Sequence, residues 1–263
     1  MRVLLKTSTF LYISVSLLQA QTPAYRAPRL TGHPNLNGIW QAVNTANWNL
    51  QDHPASAGPM WELGAIAAVP PGRSVVDGGV IPYKPEALAK LKENFQNRRT
   101  EDPEAKCYMP GIPRANYMPY PFQIVETGKD ILFVYEFASS NRLINMGKPQ
   151  EAGSDTWMGT NNGRWDGETL VVDVTGLNGL AWLDRAGDYA SEKVHVVERF
   201  TRTSPETMNY TATIDDPSLY TKPWTISMPL YRRTEKGAQL LEFKCTEFAE
   251  ELLYGKYRKG GQQ

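Results

Sequence analysis

From residue 122 onwards, apolar and polar residues alternate in short runs separated by turn signals, a pattern that predicts β-strands. The clearest turn is Asp166-Gly167, a dipeptide that suits a type I′ hairpin. The predicted strands are Phe122–Glu126, Ile131–Phe137, Arg142–Met146, Asn162–Trp165, Glu168–Val174, Val194–Arg202, Thr207–Ile214, Trp224–Arg233 and Gln239–Glu247. No alternation of strands with helices accompanies them, so the pattern predicts a mainly antiparallel β domain.

A row of hairpin-linked strands has two open edges, and open edges invite aggregation. Closing the row on itself removes both edges. We therefore predict a mainly β fold built on a single antiparallel barrel of about eight or nine strands. A β-sandwich of two stacked sheets is the alternative that the same pattern leaves open.

The segment before residue 122 has a different character. Residues 21–121 are rich in Pro, Gly, Ala and Asn and show little periodicity, which indicates a loop-rich segment wrapped around a barrel of residues 122–255. Leu36–Trp40 could supply a first strand within it. We thus expect one mature domain, residues 21–263, rather than two.

Two short helices are predicted outside the strands. Pro85 opens one helix near residues 85–99, where Leu88, Leu91 and Phe95 recur at helical spacing and form an apolar face. A second, brief helix is predicted over 247–254, because Gly255 can end it. The architecture therefore has one helix before the barrel and one at the C-terminus.

The first twenty residues have the three-part layout of a secretory signal peptide. Arg2 and Lys6 are basic, Thr7–Leu18 is an apolar run without a charge, and Ala20 is a small residue at a cleavage point. The apolar run is well short of the ~20 residues that span a bilayer. We therefore expect residues 1–20 to be removed on export, leaving a periplasmic or extracellular protein without a membrane span.

Cys107 and Cys245 are the only two cysteines. In an oxidising compartment an even pair indicates a disulfide. The bond would close a loop worth on the order of 4–5 kcal/mol of stability in the chain-entropy model. A zinc site is the weaker alternative, because no histidine lies near either cysteine in sequence.

Charge and motifs narrow the classes of function. Without Arg2 and Lys6 the chain has 26 basic and 28 acidic residues and no basic cluster, which disfavours nucleic acid as a partner. The sequence has no nucleophile elbow, phosphate-binding loop or dinucleotide fingerprint. Its three histidines are too few for a multi-histidine metal site. We accordingly predict no cofactor and no metal.

Several strands place a charged residue on an apolar face. In Val194–Arg202, Glu198 shares its face with Val196 and Phe200. By the two-residue period, Glu136 falls on the same face as Leu132 and Val134. Arg142 likewise falls on the same face as Ile144. A buried carboxylate is costly unless a cation or a hydrogen-bond donor meets it. We expect Glu136 or Glu198 to meet Arg142, Arg164 or Arg202 inside the barrel.

That charged centre has two interpretations. It could be a structural ion pair that fixes strand register, or the polar centre of a ligand cavity. In the second case Glu198 or Glu136 could act as acid or base, with Arg142 holding an anion. His195 faces the other side of its strand and becomes a proton shuttle only if the register slips. Further candidates for the ligand site are Arg164, Trp165, Arg202, Trp157 and Trp224, the tryptophans by stacking.

Two resemblances bear on the fold. Gly38-Ile39-Trp40 resembles the glycine–x–tryptophan of the first strand in lipocalin-type, or calycin-like, barrels. Most of residues 107–250 is similar to a group of functionally uncharacterised exported proteins of soil bacteria. That likeness is carried by Gly163–Asp173, His195–Phe200 and Asp216-Pro217. It implies export and a shared fold, and it implies no particular activity.

The leading expectation is an exported barrel that binds a small apolar or aromatic molecule in a cavity with a Glu/Arg centre. The first alternative is a cofactor-independent lyase, isomerase or cyclase in the same cavity. The second is an extracellular carbohydrate-binding or interaction module that uses exposed tryptophans. An unpaired carboxylate facing free volume would favour the enzyme, and coplanar exposed tryptophans would favour the module.

Overall fold

The computed structural model of the protein describes residues 25–58, 68–126 and 128–255, so the predicted signal peptide lies outside the described residues. The strands are β1 (Arg29–Leu30), β2 (His33–Pro34), β3 (Gly38–Ala42), β4 (Phe122–Glu126), β5 (Ile131–Tyr135), β6 (Asn141–Ile144), β7 (Thr160–Asp166), β8 (Thr169–Thr175), β9 (His195–Arg202), β10 (Thr207–Asp215) and β11 (Trp224–Arg232). The helices are α1 (Leu88–Glu101) and α2 (Ala249–Tyr254), with single 3₁₀ turns at Pro85–Ala87, Arg114–Asn116 and Phe137–Ser139.

Nine of these strands form one antiparallel sheet that curls into a barrel, as the strand pattern predicts. Each strand from β3 to β11 pairs with its neighbours in sequence, except at the β6–β7 junction, and β3 also pairs with β11. The β3–β11 pairing matches Ala42 with Leu230. The chain therefore runs up and down around the barrel and joins its first barrel strand to its last. Strands β1 and β2 form a separate small hairpin.

The junction between β6 and β7 differs from every other pairing in the barrel. A ring of nine strands cannot alternate direction throughout, so two neighbours must run the same way. Here those neighbours are β6 and β7, which are joined by a parallel bridge between Asn145 and Asn162. The Asn145 N–H donates to the Asn161 carbonyl over 3.0 Å, and the Gly163 N–H donates to the Asn145 carbonyl over 2.8 Å. We call this junction the parallel seam.

Gly163 permits the close approach of the two strands at the parallel seam. A Cβ atom at this position would lie 2.4 Å from the Met146 sulfur and 2.5 Å from Cγ2 of Ile144. Contacts that short do not occur between real side chains, so any larger residue would push β6 away from β7. The absence of a side chain at Gly163 thus gives Met146 and Ile144 room at the parallel seam.

Side chains fill the barrel interior. Burial alternates along β9, β10 and β11 up to Leu230, with every second residue inside. Aromatic rings pack edge to face or tilted at the centre, with centroids 5.3 Å apart for Phe133 and Phe200 and 4.9 Å apart for Phe200 and Tyr210. Each fully buried ring contributes about 2–3 kcal/mol of hydrophobic stabilisation. The interior is a packed core and not an open ligand chamber.

Three details of the predicted strands are wrong. Residues 239–247 form no strand, and β3 takes the place beside β11 that such a strand would occupy. The barrel therefore begins at Gly38 and is not confined to residues 122–255. The hairpin loop between β7 and β8 is Gly167-Glu168, one residue later than predicted. Only Gly167 of the two has positive φ, at 58°, whereas a type I′ turn needs it at both positions.

Helix α1 begins and ends close to the predicted bounds but buries a different face from the one that its apolar spacing predicts. Leu88 and Phe95 are each 49% exposed, while Asn94 is buried. The Nδ2 of Asn94 donates to the Gly187 carbonyl over 3.0 Å. The helix therefore buries the face that carries Asn94 and not the face that carries Leu88 and Phe95. Helix α2 matches the predicted C-terminal helix. None of the helices in the described part of the chain is long and apolar enough to cross a membrane.

The predicted disulfide between Cys107 and Cys245 is present, with the two Cα atoms 5.7 Å apart. It attaches the segment after β11 to the loop that precedes the 3₁₀ turn at Arg114–Asn116. The ring of Phe243 lies 4.9 Å from that of Phe137 and 5.4 Å from that of Tyr120, centroid to centroid. One covalent bond and one aromatic cluster therefore hold this segment against the barrel.

Candidate functional site

An ion pair between Arg142 and Glu198 lies inside the barrel. Arg142 is on β6 between outward-facing Asn141 and Leu143, and Glu198 is on β9 between outward-facing Val197 and Arg199. The Nη1 of Arg142 lies 2.5 Å from Oε2 of Glu198, and their side chains are 1% and 0% exposed. The prediction that Glu198 meets an arginine inside the barrel is confirmed.

Glu198 has further donors on its second carboxylate oxygen. The Nδ2 of Asn116 donates to Oε1 over 2.6 Å, and the Tyr210 hydroxyl donates to the same atom over 2.7 Å. The Tyr135 hydroxyl in turn donates to Oδ1 of Asn116 over 2.9 Å. Both oxygens of Glu198 are therefore occupied, which offsets the cost of burying the charge.

Electrostatics hold Arg142 and Tyr210 each in one protonation state. Burial alone would lower the pKa of Arg142, but the Glu198 carboxylate outweighs it and holds that pKa above its ordinary value. Burial and the charge of Glu198 raise the pKa of Tyr210 well above 10. Arg142 therefore stays cationic, and Tyr210 stays a neutral hydrogen-bond donor.

The Arg142 guanidinium is enclosed, and its hydrogen bonds are made by one of its three nitrogens. Its Nη1 donates both to Glu198 and to Oδ1 of Asn161, the latter over 3.0 Å. Its Nε and Nη2 have no hydrogen-bond partner among the described residues. The ring of Phe133 lies 4.8 Å from the guanidinium carbon, which is cation–π contact. Buried donors without acceptors are rare, and each costs about 1–3 kcal/mol.

A cavity of about 820 Å³ adjoins Arg142 at the parallel seam. Strands β6 and β7 are bridged at Asn145–Asn162, and the residues that precede this bridge on each strand line the cavity. The space is thus a wedge between two strands that converge at one point. We call it the seam cavity. Its lining is Met109, Lys129, Asp130, Asn141, Arg142, Leu143, Asn145, Gln150, Asp155, Thr156, Trp157, Met158, Gly159, Thr160, Asn161 and Asn178.

Apolar side chains form part of the wall and rim of the seam cavity. Trp157 is half-buried, and its ring stacks on that of Tyr108 with centroids 5.2 Å apart and planes 25° from parallel. Met109 is 37% exposed and Leu143 is 54% exposed. Exposed apolar groups beside a concave surface are typical of ligand sites. Two of the sequence-predicted site residues, Arg142 and Trp157, are among the residues that line this cavity.

Glu136 does not face the barrel interior as predicted. The inward residues of β5 are Ile131, Phe133 and Tyr135, so Leu132 and Val134 face outward. Glu136 follows the strand as a half-buried residue on the outside, where its Oε2 accepts a hydrogen bond from the Leu241 N–H over 2.9 Å. The error arose because every residue of β5 is apolar except Tyr135, so periodicity could not identify the inward face.

The other sequence-predicted site residues lie apart from the seam cavity. Arg164 is exposed on the outer face of β7. Trp165 stacks on His33 at 4.5 Å, and Trp224 packs edge-on against Tyr220 at 5.4 Å. His195 faces outward, with its Nε2 3.0 Å from Asp173, as the alternation predicts. Arg202 points inward at another place in the barrel, where it donates to the Asn35 carbonyl over 3.0 Å and lies 5.6 Å from the Trp40 ring.

Four residues of the charged centre were missed by sequence reasoning. Tyr210 could have been found, because it shares the inward face of β10 with Met208 and Ala212. Tyr135 could have been found only with the correct face of β5. Asn116 lies in a proline-rich segment without periodicity, and Asn161 lies one residue before the predicted strand. For these two the sequence carries no usable signal.

A second buried charge network lies outside the barrel, between the loops. Arg114 donates to both oxygens of Asp102, over 2.9 and 3.1 Å, and to Oε2 of Glu104 over 2.6 Å. Arg185 donates to both oxygens of Glu104, over 2.8 and 2.6 Å. Burial would raise the pKa of Glu104, but Arg185 and Arg114 outweigh it and lower the pKa to about 2.

A pair of buried aspartates adjoins this network. Asp184 accepts hydrogen bonds from the N–H groups of Leu50, Ala186 and Asp188. Asp188 is 1% exposed, and its Oδ1 has no partner among the described residues. Burial, and then the charge of Asp184, raise the pKa of Asp188 well above 3.8. The protonated form of Asp188 is therefore favoured more strongly in the folded protein than in the unfolded chain.

The described residues contain no group of three or more His, Cys, Asp or Glu side chains placed to hold a metal ion. Comparison with known proteins adds no family. No protein-family model matches the chain, and no curated protein is similar enough to count as a match. The site therefore has to be interpreted from its own geometry.

Proposed function

We propose that this is an exported binding protein that takes a small molecule with a flat, mainly apolar body into the seam cavity. The observation that carries the proposal is the seam cavity itself, whose lining combines the apolar residues Met109, Leu143 and Trp157 with polar groups. A concave site with apolar walls and a few polar groups is typical of small-molecule binding. The volume of about 820 Å³ is that of small-molecule sites, ~300–1,000 Å³.

The N-terminal sequence and the disulfide support export. The bond between Cys107 and Cys245 needs an oxidising compartment to form and persist. The charged N-terminal start, the apolar run and Ala20 supply a route to such a compartment. The resemblance to exported proteins of soil bacteria points the same way.

The geometry favours binding over acid–base catalysis at Glu198. A catalytic carboxylate needs an oxygen that can reach the proton it transfers. Glu198 accepts bonds from Arg142, Asn116 and Tyr210, and it does not line the seam cavity. We assign to it the role of fixing the orientation of Arg142.

The geometry also disfavours a module that binds through exposed tryptophans. Among the described residues the tryptophans are buried or half-buried, and none belongs to an exposed flat row. Trp40 is fully buried in the core, and Trp165 is covered by His33. Trp157 is the tryptophan whose ring borders the seam cavity.

The test is a thermal-shift screen of the purified mature protein against aromatic, terpenoid, fatty and sugar compounds. A ligand at 100 times its dissociation constant should add about 2.7 kcal/mol of stability, which raises Tm by several degrees. The same hits are then measured on Trp157→Ala, with Trp165→Ala as control. Both tryptophans are half-buried and stacked on a neighbouring ring, but only Trp157 lines the cavity.

We expect at least one hit whose shift is lost in Trp157→Ala and kept in Trp165→Ala. Hits that are equally weakened by both variants would place the site elsewhere. A screen without hits in any class would argue against the proposed function.

A further inference from the structure

We propose that the protein has a second ligand site, in a cavity beside the disulfide, and that it takes an aromatic carboxylate whose carboxylate group pairs with Arg98. The cavity has a volume of about 660 Å³ and lies between helix α1, the loop after β3 and the segment after β11. We call it the C-terminal cavity. Among the described residues it shares no lining residue with the seam cavity, so this inference goes beyond the proposed function and does not depend on it.

Aromatic rings form much of the wall of the C-terminal cavity. Six of its 24 described lining residues are aromatic, more than twice the 11% aromatic share of the whole chain. The rings of Tyr120, Phe137 and Phe243 lie between 4.9 and 5.5 Å apart and are tilted or edge-on to one another. They therefore offer both faces and edges to a further ring. The other three aromatic residues of the wall are Trp48, Phe95 and Phe248.

The wall of the C-terminal cavity is held in place within the protein itself. The disulfide between Cys107 and Cys245 anchors the segment after β11, which contributes part of this wall. The Phe248 N–H also donates to the Ala105 carbonyl over 2.9 Å, and both of these residues line the cavity. A preformed wall lowers the entropy that a ligand must spend on ordering its site.

Arg98 brings to this wall a positive charge that has no acidic partner. Its guanidinium carbon lies 4.0 Å from the centre of the Phe95 ring, and its Nη1 donates to the Phe95 carbonyl. Within the described part of the chain, no carboxylate pairs with it. Partial burial, and then the charge of the neighbouring Arg99, lower the pKa of Arg98 below 12.5. Both effects disfavour the cation, and a bound anion offsets them.

Two donors of Arg98 are available to a ligand. Its Nε and Nη2 make no hydrogen bond with the described residues, and they are not enclosed as the same atoms of Arg142 are. These two N–H groups lie on one edge of the guanidinium, the edge that binds a carboxylate side by side. Burial, and then the charge of Glu104, raise the pKa of Tyr120 above 10, so its side chain adds a neutral hydroxyl to the same wall.

The carboxylates of the wall do not oppose a bound anion. Asp102 pairs with Arg114 at 2.9 Å, and Glu104 pairs with Arg114 and with Arg185, each at 2.6 Å. Their charges are therefore compensated locally. The third carboxylate among the described lining residues, that of Asp52, is exposed, so water and salt screen its charge. The ligand that suits this wall has a ring for the aromatic side chains and a carboxylate for the arginine.

The test is a calorimetric titration of the purified mature protein with three probes near neutral pH. Naphthoate has the ring and the charge, and naphthamide keeps the ring without the charge. Undecanoate keeps the charge and the number of carbon atoms without the ring. We expect naphthoate to bind about tenfold more tightly than either of the others, because it alone meets both the aromatic wall and Arg98.

The variant Arg98→Gln tests the assigned partner of the carboxylate. Glutamine is a good helix former at this half-buried position of α1, so we expect the variant to fold. Its affinity for naphthoate should fall about tenfold, and its affinity for naphthamide should stay within about twofold. Lys92→Gln is the matched control, because Lys92 is exposed on the same helix and lies outside the cavity. Trp157→Ala, which alters the seam cavity, should also leave naphthoate binding unchanged.

The outcomes separate this inference from the proposed function. Naphthamide that binds as tightly as naphthoate overturns the role of the charge, and undecanoate that does so overturns the aromatic class. Unchanged affinity of Arg98→Gln for naphthoate overturns the site. If naphthoate binding is lost in Trp157→Ala instead, the probe occupies the seam cavity, which overturns the second site and supports the proposed function. If none of the three probes binds, the second site fails and the screen of the seam cavity stands on its own result. If Arg98→Gln does not fold, the three probes and Trp157→Ala still decide.

Discussion

Arg142 and Glu198 meet across the barrel interior with Nη1 and Oε2 2.5 Å apart, although β7 and β8 lie between β6 and β9 around the closed ring. A contact between strands that are not neighbours cannot be made by the ladder of backbone hydrogen bonds. It helps to hold β6 in place, since the backbone pairing of β6 with β7 is a single bridge at the parallel seam. The ion pair therefore orients the guanidinium and also supports barrel closure.

Breaking this pair on one side should be strongly destabilising. Glu198→Gln keeps the size of the side chain and leaves Arg142 charged and without a counter-ion in the core. Such losses cost about 3–5 kcal/mol, and we expect the free energy of unfolding in urea to fall by that amount.

The double variant Arg142→Met with Glu198→Gln provides the check on this explanation. It removes both charges, so we expect it to be more stable than Glu198→Gln alone. A double variant that loses the sum of the two single effects would show that the residues act independently.

Acid should weaken the fold through Glu104. Its folded pKa of about 2 lies below the ordinary 4.5, so the unfolded chain binds the proton more readily. The stabilisation is complete above about pH 4.5 and is lost as the pH falls towards 2. In Glu104→Gln we expect lower stability at neutral pH and a flatter loss on acidification, measured by urea unfolding at several pH values. Glu242→Gln, whose side chain is 84% exposed, should follow the wild type.

Asp188 should have the opposite effect. Its folded pKa lies above 3.8 because of burial and the charge of Asp184. The unfolded chain releases the proton near 3.8, so stability falls as the pH rises from about 4 towards the folded pKa. Asp188→Asn keeps a donor for Asp184 without this cost, and we expect it to be more stable than the wild type near neutral pH. Equal stability of the two proteins at both acidic and neutral pH would contradict a raised pKa of Asp188. The control is Asp77→Asn, in an exposed turn, which should follow the wild type.

Closure of the barrel should depend on the absence of a side chain at Gly163. Its Cβ would meet the Met146 sulfur at 2.4 Å, so Gly163→Ala should cost about 1–3 kcal/mol by overpacking. Hydrogen exchange should accelerate first at the amides of Asn145 and Gly163, which bridge the seam. Gly153→Ala is the matched control, since nothing lies within 4 Å of its Cβ position. Uniform acceleration over all strands would show that the seam is not a local weak point.

The strand pattern predicts the barrel because the long strands follow the two-residue period closely. Along β9, Val196, Glu198 and Phe200 alternate with exposed or half-buried residues, so the alternation correctly assigns Glu198 to the inward face. On β5, where Ile131, Leu132, Phe133 and Val134 are consecutive apolar residues, the same rule has no contrast to use and puts Glu136 on the wrong side. The period is informative only where the two faces of a strand differ in chemistry.

The seam cavity could not be predicted for a different reason. Its wall combines β6, β7 and residues such as Met109 and Asn178, which come from loops without periodicity. Their proximity depends on how the ring of strands closes, and closure is a property of the strand number rather than of any local segment. Trp157 is a candidate by its residue type, but nothing in the sequence places it beside Arg142.

The disulfide gives the molecule the topology of a covalent ring. Strands β4 to β11, eight of the nine in the barrel, lie between Cys107 and Cys245. Cutting one peptide bond in any loop of that ring would leave a single molecule, with both new ends still attached through sulfur. Each such loop can therefore be opened by a protease without releasing a strand.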